Sequence, residues 1–144
     1  MGLVFATTPA WPLFVVRVVL GIIFFAHGAQ KVFGWFGGRG LKATIEGFQQ
    51  RMQIPPAASV AAAFIECFGG LALIVGLLAR PAALGIIVVM LVAVAKVHWP
   101  NGFFLSNAPG KGNGYEFNLA LIAMALAVLL GGAGALSLDG LLAR

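Results

Sequence analysis

Four long apolar runs, each about as long as a helix that crosses a bilayer, constrain this sequence more than any other feature. They cover about residues 12–32, 57–78, 81–97 and 117–136. With 61% of its 144 residues hydrophobic and 9% charged, the chain has too little polar surface for a water-soluble fold. The alternating pattern of a membrane β-barrel is absent from the sequence. We therefore predict one all-α domain over residues 1–144, an integral membrane four-helix bundle.

The polar joints between the runs predict how the helices connect. Pro55-Pro56 precedes the second run, and the short Arg80-Pro81 joint requires the second and third helices to lie antiparallel. The first long connection predicts a short amphipathic helix that lies flat on the membrane between the first and second spans. Its apolar face comprises Leu41, Ile45, Phe48 and Met52, and its polar face comprises Lys42, Glu46, Gln49 and Arg51. The second, residues 99–115, is rich in glycine and aromatic residues and is expected to cover the bundle mouth.

Four spans place both chain ends and the Arg80 joint on one side of the membrane, called side A, and the two long connections on the other, called side B. Basic residues are more frequent on side B, which the positive-inside tendency assigns to the cytoplasm. The side B residues are Lys31, Arg39, Lys42, Arg51, Lys96 and Lys111, against Arg17, Arg80 and Arg144 on side A.

Several classes of function are disfavoured by composition. The net charge of +5 does not indicate a nucleic-acid partner, because the nine Lys and Arg residues are scattered between apolar runs. Cys67 is the only cysteine, so the chain supplies no dithiol, zinc cluster or iron–sulfur ligand set. The only two histidines, His27 and His98, differ in estimated depth by about 10 Å, which does not suit one haem.

Ionisable side chains within the apolar runs point to a candidate site, because each costs several kcal/mol to bury in a membrane. Counted from side B, His27 lies about 10 Å deep and Glu66 about 14 Å deep, so they can approach each other. We predict that Glu66 and His27 move protons as catalytic residues and that Lys31 holds an anionic oxygen or offsets the charge of Glu66. The predicted ligand-binding residues are Lys31, His98, Tyr115, Glu116, Asn118 and Arg17, and no metal site is predicted.

Each of these candidate site residues could instead have a purely structural role. Glu66 paired with His27 or Arg17 would fix helix register without a ligand, an alternative nearly as strong as a binding site. The side B lysines could snorkel to the headgroups, and the aromatic residues could form an interfacial belt. Arg17 lies in the side A half, where pairing, snorkelling and a separate anion site all remain open. Four glycines are more typical of helix packing than of ligand contact, and these are Gly21, Gly28, Gly69 and Gly70.

Four short motifs follow one another along the chain. The first is Arg17-x9-His27-Gly28-x-Gln30-Lys31-x-Phe33-Gly34, and the second is Ile65-Glu66-x2-Gly69-Gly70-x-Ala72-Leu73-x2-Gly76-Leu77-x2-Arg80. The others are His98 and Gly114-Tyr115-Glu116-x-Asn118. In this order and spacing the sequence resembles the DoxX family, over about residues 17–118.

The resemblance implies a small multi-pass protein of a prokaryotic cytoplasmic (inner) membrane, of a kind described as an oxidoreductase subunit. Relatives are associated with thiosulfate:quinone oxidoreduction, quinone detoxification and redox-stress complexes. A quinone is therefore the candidate cofactor. Because the sequence offers no flavin, haem or iron–sulfur ligand set, electrons would have to come from a partner.

Three functions are compatible with these features. The favoured one is a membrane subunit of a redox complex that binds a quinone-type or other small apolar ligand in a polar pocket. The close alternative is a non-catalytic anchor or assembly subunit of a larger complex. A transporter function is less well supported, because the sequence has no obvious internal repeat. The expected partners are membrane lipid and either other protein subunits or further copies of the chain.

Overall fold

The computed structural model describes residues 2–144, and this part of the chain is helical throughout, with no β-strand. Two π-helical turns interrupt the α-helices: the first, Ile65–Gly69, joins α4 to α5, and the second, Val94–His98, continues α6. A 3-10 turn follows at Trp99–Asn101. The α-helices are α1 (Gly2–Phe5), α2 (Trp11–Val32), α3 (Gly40–Met52), α4 (Pro56–Phe64), α5 (Gly70–Val75), α6 (Ala79–Ala93), α7 (Glu116–Gly131) and α8 (Leu138–Leu142).

Three continuous helical segments are long and apolar enough to cross a membrane: span 1 (Trp11–Val32), span 2 (Pro56–Val75) and span 3 (Ala79–Asn101). The predicted all-α class is thus confirmed. The fourth apolar helix, α7, ends at Gly131 rather than near residue 136. It stops there because Gly132 and Gly134 take positive φ angles of +85° and +75°, which turn the chain back toward the bundle.

Span 1 crosses span 2 at very close range. A Cβ atom on Gly28 would lie 2.1 Å from the backbone nitrogen of Cys67, and one on Gly70 would lie 2.3 Å from that of Phe25. Only glycine allows two helix backbones to approach this closely. Span 3 packs against α7 and the first π turn, and α7 returns to α2. The buried core between these helices includes Leu20, Phe24, Leu73, Ile86, Leu121 and Val128.

The side A end is closed by the C-terminal segment. Asp139, which is 1% exposed, accepts hydrogen bonds from the backbone N–H groups of Leu78 at 2.7 Å and Ala79 at 2.9 Å. These N–H groups begin α6 and have no acceptor within the helix. On the same side, Arg80 donates to the carbonyl oxygens of Ala6 and Leu129. The Asp139 carboxylate therefore caps α6 from a distant part of the chain.

Replacing Asp139 with alanine is expected to lower the free energy of unfolding by about 2 kcal/mol, because two buried N–H groups lose their acceptor. Thermal or SDS unfolding of the purified protein measures this loss. Glu46→Ala, on the exposed face of α3, removes a carboxylate without such contacts and is the control. Equal stability of the two variants would contradict the capping role.

Candidate ligand-binding cavity

A cavity of about 560 Å³ lies in the side B half of the protein, between α2, α3, α4, α6 and α7. Its walls are mostly aliphatic, with contributions from every one of these helices. Five of the eight predicted site residues lie on the wall: His27, Lys31, Glu66, His98 and Asn118. These five residues come from four separate stretches of the sequence, and the structure brings them to one cavity.

An ion pair joins two sides of the cavity. Lys31 Nζ on α2 donates to Oε2 of Glu66 in the first π turn. The Glu66 side chain is 4% exposed and that of Lys31 is 25% exposed, so the pair is held largely away from solvent. Glu66 Oε1 forms no hydrogen bond within residues 2–144. One carboxylate oxygen is therefore used by the protein and the other is left at the cavity wall.

The two histidines differ in how firmly they are held. His98 Nδ1 lies 2.9 Å from the carbonyl oxygen of Asn113. Because a carbonyl only accepts, Nδ1 carries the hydrogen of this bond, and in the neutral ring Nε2 keeps its lone pair. His27 is exposed on the cavity wall and forms no hydrogen bond within the described residues. The hydrogen bond thus orients the His98 ring, whereas no hydrogen bond within the described residues orients the His27 ring.

Asn118 is the most deeply buried neutral polar group of the cavity. It is 6% exposed, and its amide nitrogen lies 3.6 Å from the sulfur of Met90, a weak acceptor. Its Oδ1 atom forms no hydrogen bond to any residue from 2 to 144, and this atom is not fully buried, because every fully buried side-chain nitrogen or oxygen in these residues has a partner. Asn118 can therefore both donate to and accept from a molecule in the cavity.

The π turns position two of these side chains. Glu66 is the second residue of the first π turn and His98 is the last residue of the second. Such turns are rare and occur frequently at functional sites, because the wider turn changes the direction in which side chains leave the helix. No feature of the sequence predicted either turn.

Helix α3 and the loop before α7 cover the cavity toward side B. Phe48 and Met52, from the predicted apolar face of α3, lie on the cavity wall. The Phe48 ring centroid is 5.5 Å from Lys31 Nζ, a cation–π contact. Leu105 and Gly114 contribute from the loop. The sequence identified the apolar face of α3 but assigned it to the membrane surface, so its contribution to the cavity was missed.

Tyr115 and Glu116, also predicted as ligand-binding residues, are not on the cavity wall. Tyr115 stacks on Trp99 with ring centroids 5.4 Å apart and meets Phe103 edge-on at 5.5 Å. The backbone N–H of Glu116 donates to the carbonyl oxygen of Phe103. In the structure, both residues hold the loop together at the start of α7.

Arg17 lies outside the cavity altogether. Its side chain is 0% exposed and donates five hydrogen bonds to backbone carbonyl oxygens at the side A end. Two acceptors, Leu73 and Ile74, are in the last turn of α5, where carbonyls lack helical partners. The others are Ala133, Ala135 and Leu136. Since a guanidinium group has five N–H donors, Arg17 has none left for a ligand.

The DoxX family model matches residues 12–99, which is more than half of the chain. The chain belongs to the DoxX family. The predicted membership of this family is thereby confirmed, and the match includes the first three motifs but not the fourth, at residues 114–118. No curated protein and no solved structure matches this sequence.

The DoxX match includes both partners of the ion pair. It extends from the start of span 1 to the end of the second π turn, and it contains His27, Lys31, Glu66 and His98. Asn118 lies beyond it, on α7. Family membership and the apolar helices together identify a multi-pass membrane protein.

Proposed function

We propose that this DoxX protein is the membrane subunit of a redox complex and binds a quinone-type or similar small apolar ligand in the cavity. The observation that carries the proposal is the lining: aliphatic walls around a few polar side chains from different helices. Binding sites for small apolar molecules commonly have this composition, and about 560 Å³ lies within their usual size range.

The proposed arrangement in the membrane follows from the helices. Spans 1, 2 and 3 and α7 form a four-helix transmembrane bundle in a prokaryotic cytoplasmic membrane. Helix α3 lies at the side B interface, with Lys42 and Arg51 exposed and its apolar face toward the cavity. Side B faces the cytoplasm, where soluble partner subunits would dock.

The polar groups suit a ring that alternates between carbonyl and hydroxyl forms. Lys31 and the Asn118 amide can donate to a carbonyl oxygen, whereas Glu66 Oε1 and His98 Nε2 can accept from a hydroxyl. Reduction of a quinone to a quinol consumes two electrons and two protons. A partner subunit on side B would supply the electrons, and Glu66 and His27 would deliver the protons.

Binding can be tested with the purified protein in lipid nanodiscs, titrated with a benzoquinone. Asn118→Leu keeps the number and branching of the side-chain heavy atoms but removes both hydrogen-bonding atoms, and we expect the Kd to rise at least about tenfold, the equivalent of about 1.4 kcal/mol. Asn107→Leu, in the exposed loop, is the matched control and should leave the Kd unchanged. Absence of saturable quinone binding to the unaltered protein would overturn the proposal.

The second candidate is a non-catalytic anchor or assembly subunit. It is favoured by the Lys31–Glu66 pair, since two charges that satisfy each other need no ligand. In that case the cavity would hold lipid acyl chains, and Glu66→Gln would be tolerated once the partner subunits are bound.

A further inference from the structure

Spans 2 and 3 lie side by side at the side A end but separate toward side B. Both α5 and the first π turn pack against α6, whereas α4 makes no extensive contact with it. One close contact joins Ile65 and Gly85, where a Cβ atom on the glycine would lie 3.0 Å from Cγ2 of Ile65. Toward side B of this contact, α4 and α6 pack only sparsely against each other and both line the cavity, and the space between them is called the gap.

Small or exposed side chains form the two edges of this gap. Ala58 and Ala61 on α4, and Val88 and Val92 on α6, line the cavity and are exposed residues. Val88 is 52% exposed and Val92 is 41% exposed. Because the cavity is not enclosed, exposed residues on facing edges of α4 and α6 are consistent with an opening between these two helices.

The depth of the gap decides what it opens onto. Ala61 lies five residues into α4, about 8 Å below side B, and Val88 lies nine residues into α6, about 14 Å from side A. With the spans across a bilayer, both positions are within the hydrocarbon layer. The gap then meets acyl chains rather than water.

The deep end of the cavity indicates what kind of molecule would use this opening. Asn118 is buried on α7 with an unpartnered Oδ1, and Glu66 offers its free Oε1 from the first π turn. A purely apolar lipid chain would leave these atoms without hydrogen bonds, which is unfavourable for polar groups held away from water. An occupant with hydrogen-bonding atoms at one end and an apolar chain at the other satisfies both regions.

We infer that the gap between α4 and α6 is a lateral entrance from the bilayer. The molecule that uses it is an amphiphile with a hydrogen-bonding ring and a long apolar tail. Its ring lies near Asn118 and Glu66, and its tail passes between Ala61 and Val88 into the lipid. This inference rests on the proposed ligand-binding function and extends it to a class of ligand and a route of entry.

Closing the gap should discriminate between tailed and tailless ligands. The probes are 2,3-dimethoxy-5-methylbenzoquinone with and without a decyl chain, titrated into nanodiscs that contain the whole protein. Ala61→Phe is expected to weaken binding of the decyl compound at least about tenfold and to leave the Kd of the tailless compound within about twofold. Val88→Phe fills the gap from the opposite edge and should have the same effects on the two Kd values. Ala57→Phe is the control, because Ala57 is exposed on α4 but does not line the cavity.

The possible results test the lateral entrance and the ligand-binding site separately. Retained binding of the tailless compound shows that each variant is folded and that the cavity still binds the ring. If the decyl compound then binds the filled variants as well as the unaltered protein, the lateral entrance is overturned and the proposed function stands. If neither compound binds the unaltered protein, both proposals fail.

A photoreactive group at the middle of the decyl chain provides an independent readout. Cross-links mapped by mass spectrometry are expected within residues 58–62 and 88–92. Cross-links confined to α2 or α7 would contradict the route between α4 and α6.

Discussion

One methyl group at Gly28 is expected to destabilise the protein by at least about 3 kcal/mol. The added carbon of Gly28→Ala would lie 2.1 Å from the backbone nitrogen of Cys67 and 2.3 Å from its Cα atom. Backbone atoms inside two packed helices cannot rotate away, as the end of a flexible side chain can. Spans 1 and 2 would therefore have to separate along their contact.

Separation of these spans also disturbs the ion pair. Gly28 directly abuts the backbone of Glu66, and Lys31 is one helical turn further along α2. Gly28→Ala should therefore weaken ligand binding together with stability. Unfolding in SDS and quinone titration measure the two effects. Gly47→Ala is the matched control, since no atom lies within 4 Å of the added carbon and the helical position favours alanine. A Gly28→Ala protein as stable as Gly47→Ala would refute the close packing.

Removing one member of the Lys31–Glu66 pair is expected to cost about 3–5 kcal/mol, because the remaining charge stays buried without a partner. We choose Lys31→Met, which keeps much of the chain length and leaves the 4% exposed carboxylate of Glu66 alone. Lys42→Met, on the exposed face of α3, should change stability by less than about 0.5 kcal/mol. The free energy of unfolding in SDS measures both.

The double variant Lys31→Met/Glu66→Leu distinguishes a ligand site from a purely structural pair. Apolar replacement of a whole buried ion pair is often neutral or stabilising, so much of the lost stability should return. Ligand binding should not return, because the charged groups proposed to contact the ring are gone. A double variant that is stable and binds quinone as tightly as the unaltered protein would show that the pair is purely structural and takes no part in binding the ring.

Helix positions and depths were the most predictable part of this protein. The apolar runs gave spans 1–3 to within a few residues, since length and hydropathy determine which segments suit a bilayer. The constant rise per residue placed His27 and Glu66 at comparable depths, and both lie on the cavity wall. Depth along a helix can thus be read from the sequence alone.

The direction in which each side chain leaves its helix was less predictable. Lys31, expected either to hold an anionic oxygen or to offset Glu66, is the partner of Glu66, whereas His27 and Arg17, the partners weighed for a structural pair, are not. The first π turn changes the direction of the Glu66 side chain, and it depends on packing against the neighbouring helices rather than on local propensity. Similarly, Tyr115 and Asn118 are close in sequence, but only Asn118 faces the cavity.

The hydrogen-bond partners of Arg17 could not be predicted, because several of them lie in a segment whose sequence shows no recognisable structural motif. Residues 132–136 follow α7 as a glycine-rich segment, and their carbonyl oxygens turn toward Arg17 because of the positive φ angles at Gly132 and Gly134. The sequence suggested only that a helix ends there. Such a contact joins residues too far apart for any local pattern to reveal it.

The distance along the chain between Arg17 and its acceptors has a consequence for biosynthesis. Arg17 and Ala133 are separated by 116 positions, and a ribosome adds about 5–20 residues per second. Span 1 therefore emerges on the order of ten seconds before the last three of the carbonyl groups that accept from its guanidinium. During that interval other groups, such as water or lipid headgroups at the interface, have to satisfy this cation.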